Sequence, residues 1–268
     1  MTDVKEDGWE IIRFNGHSQS ILHEEVAIEA PLTIRINGSE FATIVCSPSN
    51  QSDLVIGFLA SEGVIRFKDE IRRISIDEKL GFAYVDLYKQ IDPSQIDHSK
   101  RFIGSCCGKS RQFYFKSDVK TAKTITSKLS ITVDQCFQLM KELQTNSEQF
   151  IRTGGVHNAA LATCEGILTI RTDIGRHNAL DKIYGHIIHE KIRAADKLIV
   201  FSGRISSEVL LKISKIGVGI LLSKSAPTDL GLQLAADLGI TTIGFARGNK
   251  MNVYTHPERI INTAMKAP

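Results

Sequence analysis

The sequence predicts an α/β protein in which a smaller β-rich N-terminal region, residues 1–125, precedes an α/β layered domain, residues 126–268. Short runs that alternate apolar and polar residues dominate the first region, which is typical of strands. After about Thr132, apolar residues spaced three and four apart alternate with short β-rich runs. This second pattern predicts a sheet with helices packed on it, and 268 residues suffice for one large domain or two modest ones.

The first recognisable element of the N-terminal region is a hairpin, because apolar residues alternate on both sides of Asn37-Gly38, a pair that suits a tight turn. The helix after it ends near Gly63, since glycine is favoured at helix C-termini. The predicted elements of this region, in order, are the hairpin over 31–46, the helix over 54–63, strands over 71–76 and 82–87, and a polar loop over 90–100.

The second region alternates helices with strands, and its last helix carries Pro227 in its first turn and Gly239 at its end. Its predicted elements, in order, are a helix that begins near 132, a strand over 167–171, a helix over 180–188, a strand over 197–202, a helix over 206–216, a strand over 218–223, a helix over 227–238 and a strand over 240–245.

Composition and charge exclude several classes of protein. Hydrophobic residues make up 42% of the chain and charged residues 24%, which excludes a disordered chain, a coiled coil and collagen. The net charge of +3 is too small to predict a nucleic-acid partner. The N-terminus lacks a signal-peptide pattern, and no apolar run approaches the length of about 20 residues that crosses a membrane. Five cysteines without scaffold spacing are typical of a reducing compartment, so we expect a cytoplasmic protein with free thiols.

Polar residues gather in five predicted loops, each of which places a cation or a His-Asn pair beside glycine or hydroxyl residues. These loops are 153–158, 173–178, 203–207, 224–229 and 246–250. In open α/β sheets, ligands bind beyond the carboxyl ends of the strands, where loops lead into helix N-termini and where arginine and backbone amides can hold phosphate. We therefore expect these loops to lead into helices. Together the loops predict a phosphorylated, nucleotide-bearing ligand, although each alone is also consistent with an ordinary capped turn.

Known nucleotide motifs are absent from these loops, since the chain contains neither a Walker A loop nor a G-x-G-x-x-G fingerprint. His157 and His177 are each consistent with a structural histidine or with a ligand-binding one, and neither is assigned an acid–base role. A zinc deaminase has a similar alternation of helices and strands, but its metal requires H-x-E and C-x-x-C patterns. His157 is followed by Asn158 and Ala159 and so lacks the glutamate of H-x-E, and C-x-x-C does not occur in the chain, so no metal site is predicted.

Two adjacent cysteines, Cys106 and Cys107, lie in a glycine- and serine-rich segment between basic residues. Neighbouring cations lower the pKa of a thiol and favour the nucleophilic thiolate. Two alternatives are a space-filling role and a strained, labile vicinal disulfide. The other cysteines stand in apolar surroundings and are expected in the core: Cys46, Cys136 and Cys164. The cations that flank the pair are Lys100, Arg101, Lys109 and Arg111.

These motifs, in this order, resemble the FdhD family of formate dehydrogenase accessory sulfurtransferases. The segments that carry the resemblance are GSCCGKS, TGGVHNAAL, DIGRHNALDKIYG, FSGRISSEVLLK, SKSAPT and GFARGNKMNVYTHPERI. The resemblance covers nearly the whole chain, from the hairpin near Pro31 to the C-terminal HPERI. It implies a C-terminal three-layer fold like that of cytidine deaminases, without zinc, and a cytosolic homodimer.

The family's usual cysteine loop reads C-G-V-C-G-K, and alignment on 107–109 places Gly104 where the first family cysteine stands. Cys107 then corresponds to the second family cysteine and is the expected catalytic persulfide carrier. Cys106 occupies the family's variable position, and a relay or resolving role for it stays open. The family's cofactor-binding segment corresponds to Phe245, Ala246, Arg247, Gly248, Asn249 and Lys250, with Arg204, Ser223 and Lys224 as further candidates.

The function that the resemblance implies is that of a sulfur carrier required for formate dehydrogenase activity. The protein would accept sulfur from a cysteine desulfurase as a cysteine persulfide. It would then pass that sulfur to molybdenum bis(molybdopterin guanine dinucleotide) before this cofactor enters formate dehydrogenase. The alternative is a non-catalytic chaperone that holds the molybdenum cofactor and uses its cysteines as soft ligands or redox-sensitive groups.

Overall fold

The structure is a computed structural model that describes residues 8–90 and 122–262 and the backbone of residues 101–103. The N-terminal part contains β1 (Trp9–Asn15), β2 (Ser18–Glu24), β3 (Ala30–Ile36), β4 (Ser39–Cys46), α1 (Gln51–Ser61), a 3-10 turn (Lys68–Glu70), β5 (Ile71–Asp77), β6 (Phe82–Leu87) and β7 (Arg101–Ile103). Strands β5-β6-β3-β4-β7 form one sheet, in that order, and β1 and β2 form a separate two-stranded sheet. Strand β7 is parallel to β4, and β3 is antiparallel to β4.

The C-terminal part begins with β8 (Ile131–Thr132), α2 (Val133–Thr145), α3 (Glu148–Thr153), β9 (His157–Ala162), β10 (Ile167–Asp173), α4 (Arg176–His189) and β11 (Leu198–Phe201). It continues with α5 (Ser207–Ile216), β12 (Ile220–Ser223), α6 (Asp229–Leu238), β13 (Thr241–Arg247), β14 (Lys250–Thr255), a 3-10 turn (Pro257–Arg259) and β15 (Ile260–Ile261). Six of these strands form a sheet in the order β10-β9-β11-β12-β13-β14. Strands β11, β12 and β13 are parallel, and the remaining neighbours are antiparallel.

Three layers make up this part, because each face of the six-stranded sheet is covered by helices. Helix α2 buries Leu139, Met140 and Leu143 against one face. Helices α4, α5 and α6 bury apolar residues such as Leu180, Ile213 and Ala235 against the other. The predicted α/β layering is therefore confirmed, while the kinship with cytidine deaminases and the division at residue 125 stay predictions.

The two sheets are joined by helix α1, which covers the five-stranded sheet on one side and crosses α4 on the other. The crossing is so close that a Cβ atom on Gly57 would lie 1.8 Å from the carbonyl oxygen of Asp181. A Cβ atom on Gly185 would lie equally close, 1.8 Å, to the carbonyl oxygen of Asp53. Only glycine permits this approach, so the two residues set the distance between the sheets.

Buried polar contacts accompany this crossing. The Arg171 guanidinium donates to Asp53 on α1 at 2.8 Å, and Ser61 on α1 donates to the Asp181 carboxylate at 2.6 Å. Lys215 on α5 donates to the carbonyl oxygen of Ser61 at 2.7 Å. Arg171 and Asp53 form an ion pair, and the charged groups of Asp181 and Lys215 are hydrogen-bonded, which is the condition for burying charges without a large cost.

Most predicted elements are confirmed within a few residues, including the 31–46 hairpin and the helix that begins at Thr132. The hydroxyl of Thr132 caps that helix by accepting from the backbone N–H of Gln135 at 3.2 Å. Residues 91–100 of the predicted polar loop lie outside the described residues. No helix in the described ranges 8–90 and 122–262 is long and apolar enough to cross a membrane.

Three expectations were wrong. The turn at 153–158 does not lead into a helix, because His157 begins strand β9. Pro227 precedes the N-cap residue Thr228, so it lies outside the first turn of α6. The segment 246–250 is part of a hairpin between β13 and β14, since the chain pairs back on itself instead of entering a helix. The hairpin of β1 and β2 was not predicted.

Replacing Gly185 with alanine is expected to destabilise the protein by about 3 kcal/mol or more, because the new methyl group would overlap backbone of α1. Denaturant-induced unfolding followed by circular dichroism measures this loss. Gly166→Ala is the matched control, since its Cβ atom would lie 3.7 Å from Glu142, an ordinary contact. Equal unfolding midpoints for the two variants would contradict the close helix crossing.

Candidate functional site

One edge of the six-stranded sheet collects the loops that the sequence singles out. Strands β10, β11, β12 and β13 all end at this edge, because β10 and β11 both run antiparallel to β9 between them. Strand β9 begins there instead, and the register places His157 opposite Asp173. All five predicted loops therefore meet at one end of the sheet, as expected for ligand sites in α/β proteins.

Side-chain hydrogen bonds fix these loops to one another. Ser202, at the end of β11, accepts from the backbone N–H of Asn158 through its hydroxyl at 2.9 Å. Thr172 donates to the side-chain oxygen of Asn158 at 2.6 Å. Ser225 donates to the carbonyl oxygen of Ser202 at 2.8 Å, and Ser223, which is buried, donates to that of Gly203 at 2.8 Å. Ser223 thus has a structural role, and these hydrogen bonds hold the surrounding loops together.

His157 lies half-buried at this edge. Burial lowers the pKa of its imidazole below the ordinary value of 6.5, and the positive charge of Arg176 lowers it further, while Asp173 opposes both. His157 is therefore neutral near pH 7, so that one ring nitrogen can accept a hydrogen bond and the other can donate one to a ligand. The other histidine of the five loops, His177, lies 2.9 Å from the Glu208 carboxylate and so links α4 to α5.

The six residues of the predicted cofactor-binding segment do not lie in one loop. Phe245, Ala246 and Arg247 belong to β13, and the ladder is irregular between Gly244 and Arg247. Ala246 is fully buried and can only support the segment. The exposed residues Gly248 and Asn249 form the turn, and the exposed Lys250 begins β14. The segment offers a ligand backbone groups and the side chains of Phe245, Arg247, Asn249 and Lys250.

Phe245 is the unusual residue of this segment. Its φ angle is 52°, a left-handed conformation that is rare for a bulky side chain, and its ring is 41% exposed. Backbone strain of this kind costs about 1–3 kcal/mol and is concentrated at functional sites. The segment is anchored because Phe245 donates its backbone N–H to Ser225 at 3.2 Å. Arg247 also donates from Nε to the carbonyl oxygen of Lys224, at 3.0 Å.

Cys106 and Cys107 lie outside the described residues, but the strand that leads to them is placed by its backbone. Ile103, the last residue of β7, pairs with Ile44 of β4. The end of β4 docks on the turn after β10: Asn178 donates to the carbonyl oxygen of Val45 at 2.9 Å, and the backbone N–H of Ser47 donates to Asp173 at 3.1 Å. Because β7 is parallel to β4, it runs toward the same end as β4, the end that contacts the edge with the polar loops.

The described cysteines have the surroundings of unreactive thiols. Burial raises the pKa of Cys46 and of Cys136 to about 12 each, so neither thiol ionises near pH 7. Burial also raises the pKa of Cys164, which donates to the carbonyl oxygen of Ser130 at 3.3 Å. The expectation that Cys46 and Cys136 lie in the core is confirmed, and Cys164 is only partly buried.

Reasoning from the sequence missed one residue of this edge. Phe150, on the short helix α3, is 40% exposed, and the ammonium group of Lys224 lies 5.9 Å from the centre of its ring. A phenylalanine in a six-residue helix gives no periodic signal, and only its exposure beside a cation distinguishes it. No group of three or more His, Cys, Asp or Glu residues in the described part of the chain could hold a metal ion.

Comparisons with known proteins give a consistent result. The profile of the FdhD/NarQ family matches residues 27–261. A protein of Bacillus subtilis named sulfur carrier protein FdhD is 58% identical over 251 residues, 94% of this chain and 96% of that one. A protein of Staphylococcus aureus with the same name is 50% identical over 256 residues, 96% of this chain and 97% of that one.

A solved structure is also similar. It is the crystal structure of a protein from Desulfotalea psychrophila assigned as a formate dehydrogenase accessory protein. The TM-score is 0.77 at 25% sequence identity, and the match covers 94% of this chain and 98% of the other. The similarity therefore extends over both sheets.

The pKa of His157 should rise when Arg176 is replaced by glutamine, because one of the two causes that lower it is removed. Burial remains, so the pKa should stay below 6.5. Titration of the imidazole resonances by NMR measures both values. An unchanged pKa of His157 in Arg176→Gln would show that the guanidinium does not face the imidazole.

The same shift has a consequence for stability. Folded His157 binds a proton less tightly than the unfolded chain does. The stability that its neutral form contributes is therefore fully present above pH 6.5, and the free energy of unfolding decreases as the pH falls toward the folded pKa. The pH dependence of unfolding, compared between the wild type and His157→Gln, isolates this contribution.

Proposed function

The chain belongs to the FdhD/NarQ family, and we propose that it is a sulfur carrier that delivers sulfur for formate dehydrogenase. The names of the closely similar relatives support the carrier role, and the assignment of the Desulfotalea protein supports the link to formate dehydrogenase. In more detail, we propose a cytoplasmic homodimer that takes sulfur from a cysteine desulfurase. The acceptor is the molybdenum bis(molybdopterin guanine dinucleotide) cofactor, which is the substrate of the protein.

In the first step, the thiolate of Cys107 attacks the outer sulfur of the persulfide on the desulfurase. The sulfur–sulfur bond of the donor breaks, a new one forms on Cys107, and the donor cysteine leaves as a thiolate. No net oxidation occurs. Arg101, Lys109 and Arg111 are close to Cys107 in the sequence and favour the ionised form of its thiol. The raised pKa values of the described cysteines leave them unsuited to this role.

In the second step, the outer sulfur passes to the molybdenum and Cys107 leaves as a thiolate. Because a sulfane sulfur becomes a sulfide ligand, the step consumes two electrons, which a reduced molybdenum centre supplies. The guanine nucleotide ends of the cofactor bind at the edge that contains Phe245, Arg247 and Lys250. Binding of these remote groups makes the transfer effectively intramolecular.

The observation that carries the proposal is that two features lie at the same end of the six-stranded sheet. The end of β4, the strand that pairs with β7, contacts the end of β10, and the segment from Phe245 to Lys250 lies at the end of β13, four strand spacings or about 19 Å from β10. Cys107 follows Ile103 by four residues, which allows a reach of up to about 14 Å. A long dinucleotide cofactor bound along the edge could thus present its metal to the thiol.

The second candidate function is a chaperone that binds the molybdenum cofactor without carrying sulfur. The polar edge favours it, since the loops and Arg247 could hold a nucleotide without any help from a cysteine. In that case Cys106 and Cys107 would act as soft ligands or redox-sensitive groups. The two functions differ in whether a thiol becomes covalently loaded.

Incubation with a cysteine desulfurase and cysteine should add one sulfur atom to Cys107, because its thiolate is the proposed acceptor. Mass spectrometry of the peptide that contains residue 107 measures this addition. Cys164→Ala is the control variant and should load as the wild type does. An unmodified Cys107 beside a modified Cys106 would refute the assignment.

Cys107→Ala should abolish activation of formate dehydrogenase while retaining binding of guanosine 5′-diphosphate, because only the sulfur-transfer step is removed. Activation in a reconstituted assay, with binding measured by calorimetry, tests both parts. Retained activation in Cys107→Ala would favour the chaperone. The matched variant Cys106→Ala shows whether the neighbouring thiol assists, since a relay role requires that this variant lose part of the activation of formate dehydrogenase.

A further inference from the structure

Phe150 and Phe245 are exposed aromatic residues from distant parts of the chain that contact the same two-residue segment, Lys224-Ser225. The ammonium group of Lys224 lies 5.9 Å from the centre of the Phe150 ring. Ser225 accepts the backbone N–H of Phe245 at 3.2 Å. The two rings are 40% and 41% exposed, respectively, so each presents an apolar surface to solvent beside a cationic group.

Neither ring is needed by the core. Both are absent from the three buried apolar clusters of the described residues and from the side chains packed against them. Phe245 is moreover held in a left-handed backbone conformation, with a φ angle of 52°, that glycine or asparagine would adopt more easily. Because backbone strain of this kind is concentrated at functional sites, the ring of Phe245 is a candidate for contact with a ligand.

The surroundings of the rings are basic. Arg247 is exposed, and its Nε donates to the carbonyl oxygen of Lys224 at 3.0 Å, which holds the guanidinium against the same segment. Lys224 is only partly exposed and shares its ammonium group with the Phe150 ring. Flat apolar surfaces beside cations suit a ligand with a planar heterocycle and phosphates, because aromatic rings stack on bases and the cations bind phosphate.

We propose that Phe150, together with Phe245, forms an aromatic subsite for the purine base of a bound nucleotide, with Lys224 and Arg247 directed at its phosphates. This inference rests on the proposed function and deepens it, since it assigns the base-binding part of the nucleotide site to a residue outside the segment from Phe245 to Lys250. Phe150 is a binding residue and takes no part in the sulfur chemistry.

The test is calorimetric titration of the full chain with two probes, guanosine 5′-diphosphate and inorganic pyrophosphate. Phe150→Ala should weaken the binding of guanosine 5′-diphosphate about ten-fold, which is on the order of the affinity lost with one base–aromatic stack. Pyrophosphate has no base, so its affinity should change less than about two-fold. Phe150→Leu keeps an apolar side chain without a ring and should also weaken the binding of guanosine 5′-diphosphate.

Ile151→Ala is the matched control, because Ile151 lies on the same helix and is more exposed, at 65%. It should bind both probes as the wild type does. Unchanged nucleotide affinity in Phe150→Ala, or wild-type affinity in Phe150→Leu, would overturn the aromatic subsite and leave the proposed function intact. A wild-type chain that binds no guanosine 5′-diphosphate would instead overturn the nucleotide step of the proposed function, and the subsite with it.

Discussion

The carboxylate of Asp173 lies where the two sheets meet, and it is fully buried together with the ammonium group of Lys182, 2.7 Å away. It also accepts from the backbone of Ser47 and from Asn178, at 3.1 Å and 2.9 Å. A buried ion pair adds little net stability, but its hydrogen-bonding requirements are strict. Asp173 thereby fixes the end of β4, the strand that pairs with β7, against the edge that carries the polar loops.

Because of this placement, the two sheets contribute different parts of the proposed site. The six-stranded sheet supplies the edge at which we propose that the nucleotide binds, and the five-stranded sheet supplies strand β7, which precedes the two cysteines in the sequence. The close crossing at Gly57 and Gly185 leaves little freedom for the sheets to slide past each other.

The sequence contained enough local signal to predict the 31–46 hairpin, α1 and the alternation of helices and strands, because these follow from residue spacing and turn residues. It failed at β9, since His157–Ala162 is buried on both faces and lacks the alternation of a half-exposed strand. It failed again at β1 and β2, whose apolar residues are largely exposed. Contacts such as Ser47 with Asp173, 126 positions apart, depend on the tertiary structure and leave no local pattern.

The sequence indicated candidate residues for the site but not how these residues are arranged. The five polar loops lie at one end of the sheet, as the predicted layering implied, whereas the hairpin at Phe245–Lys250 and the exposed ring of Phe150 depend on strand pairing and packing. The most direct measurement of the central claim is a single-turnover transfer of radioactive sulfur from the loaded protein to the isolated molybdenum cofactor. The account predicts that the label leaves Cys107 and is recovered on the cofactor. Label that stays on the protein, or that reaches the cofactor equally from a chain without Cys107, would contradict it.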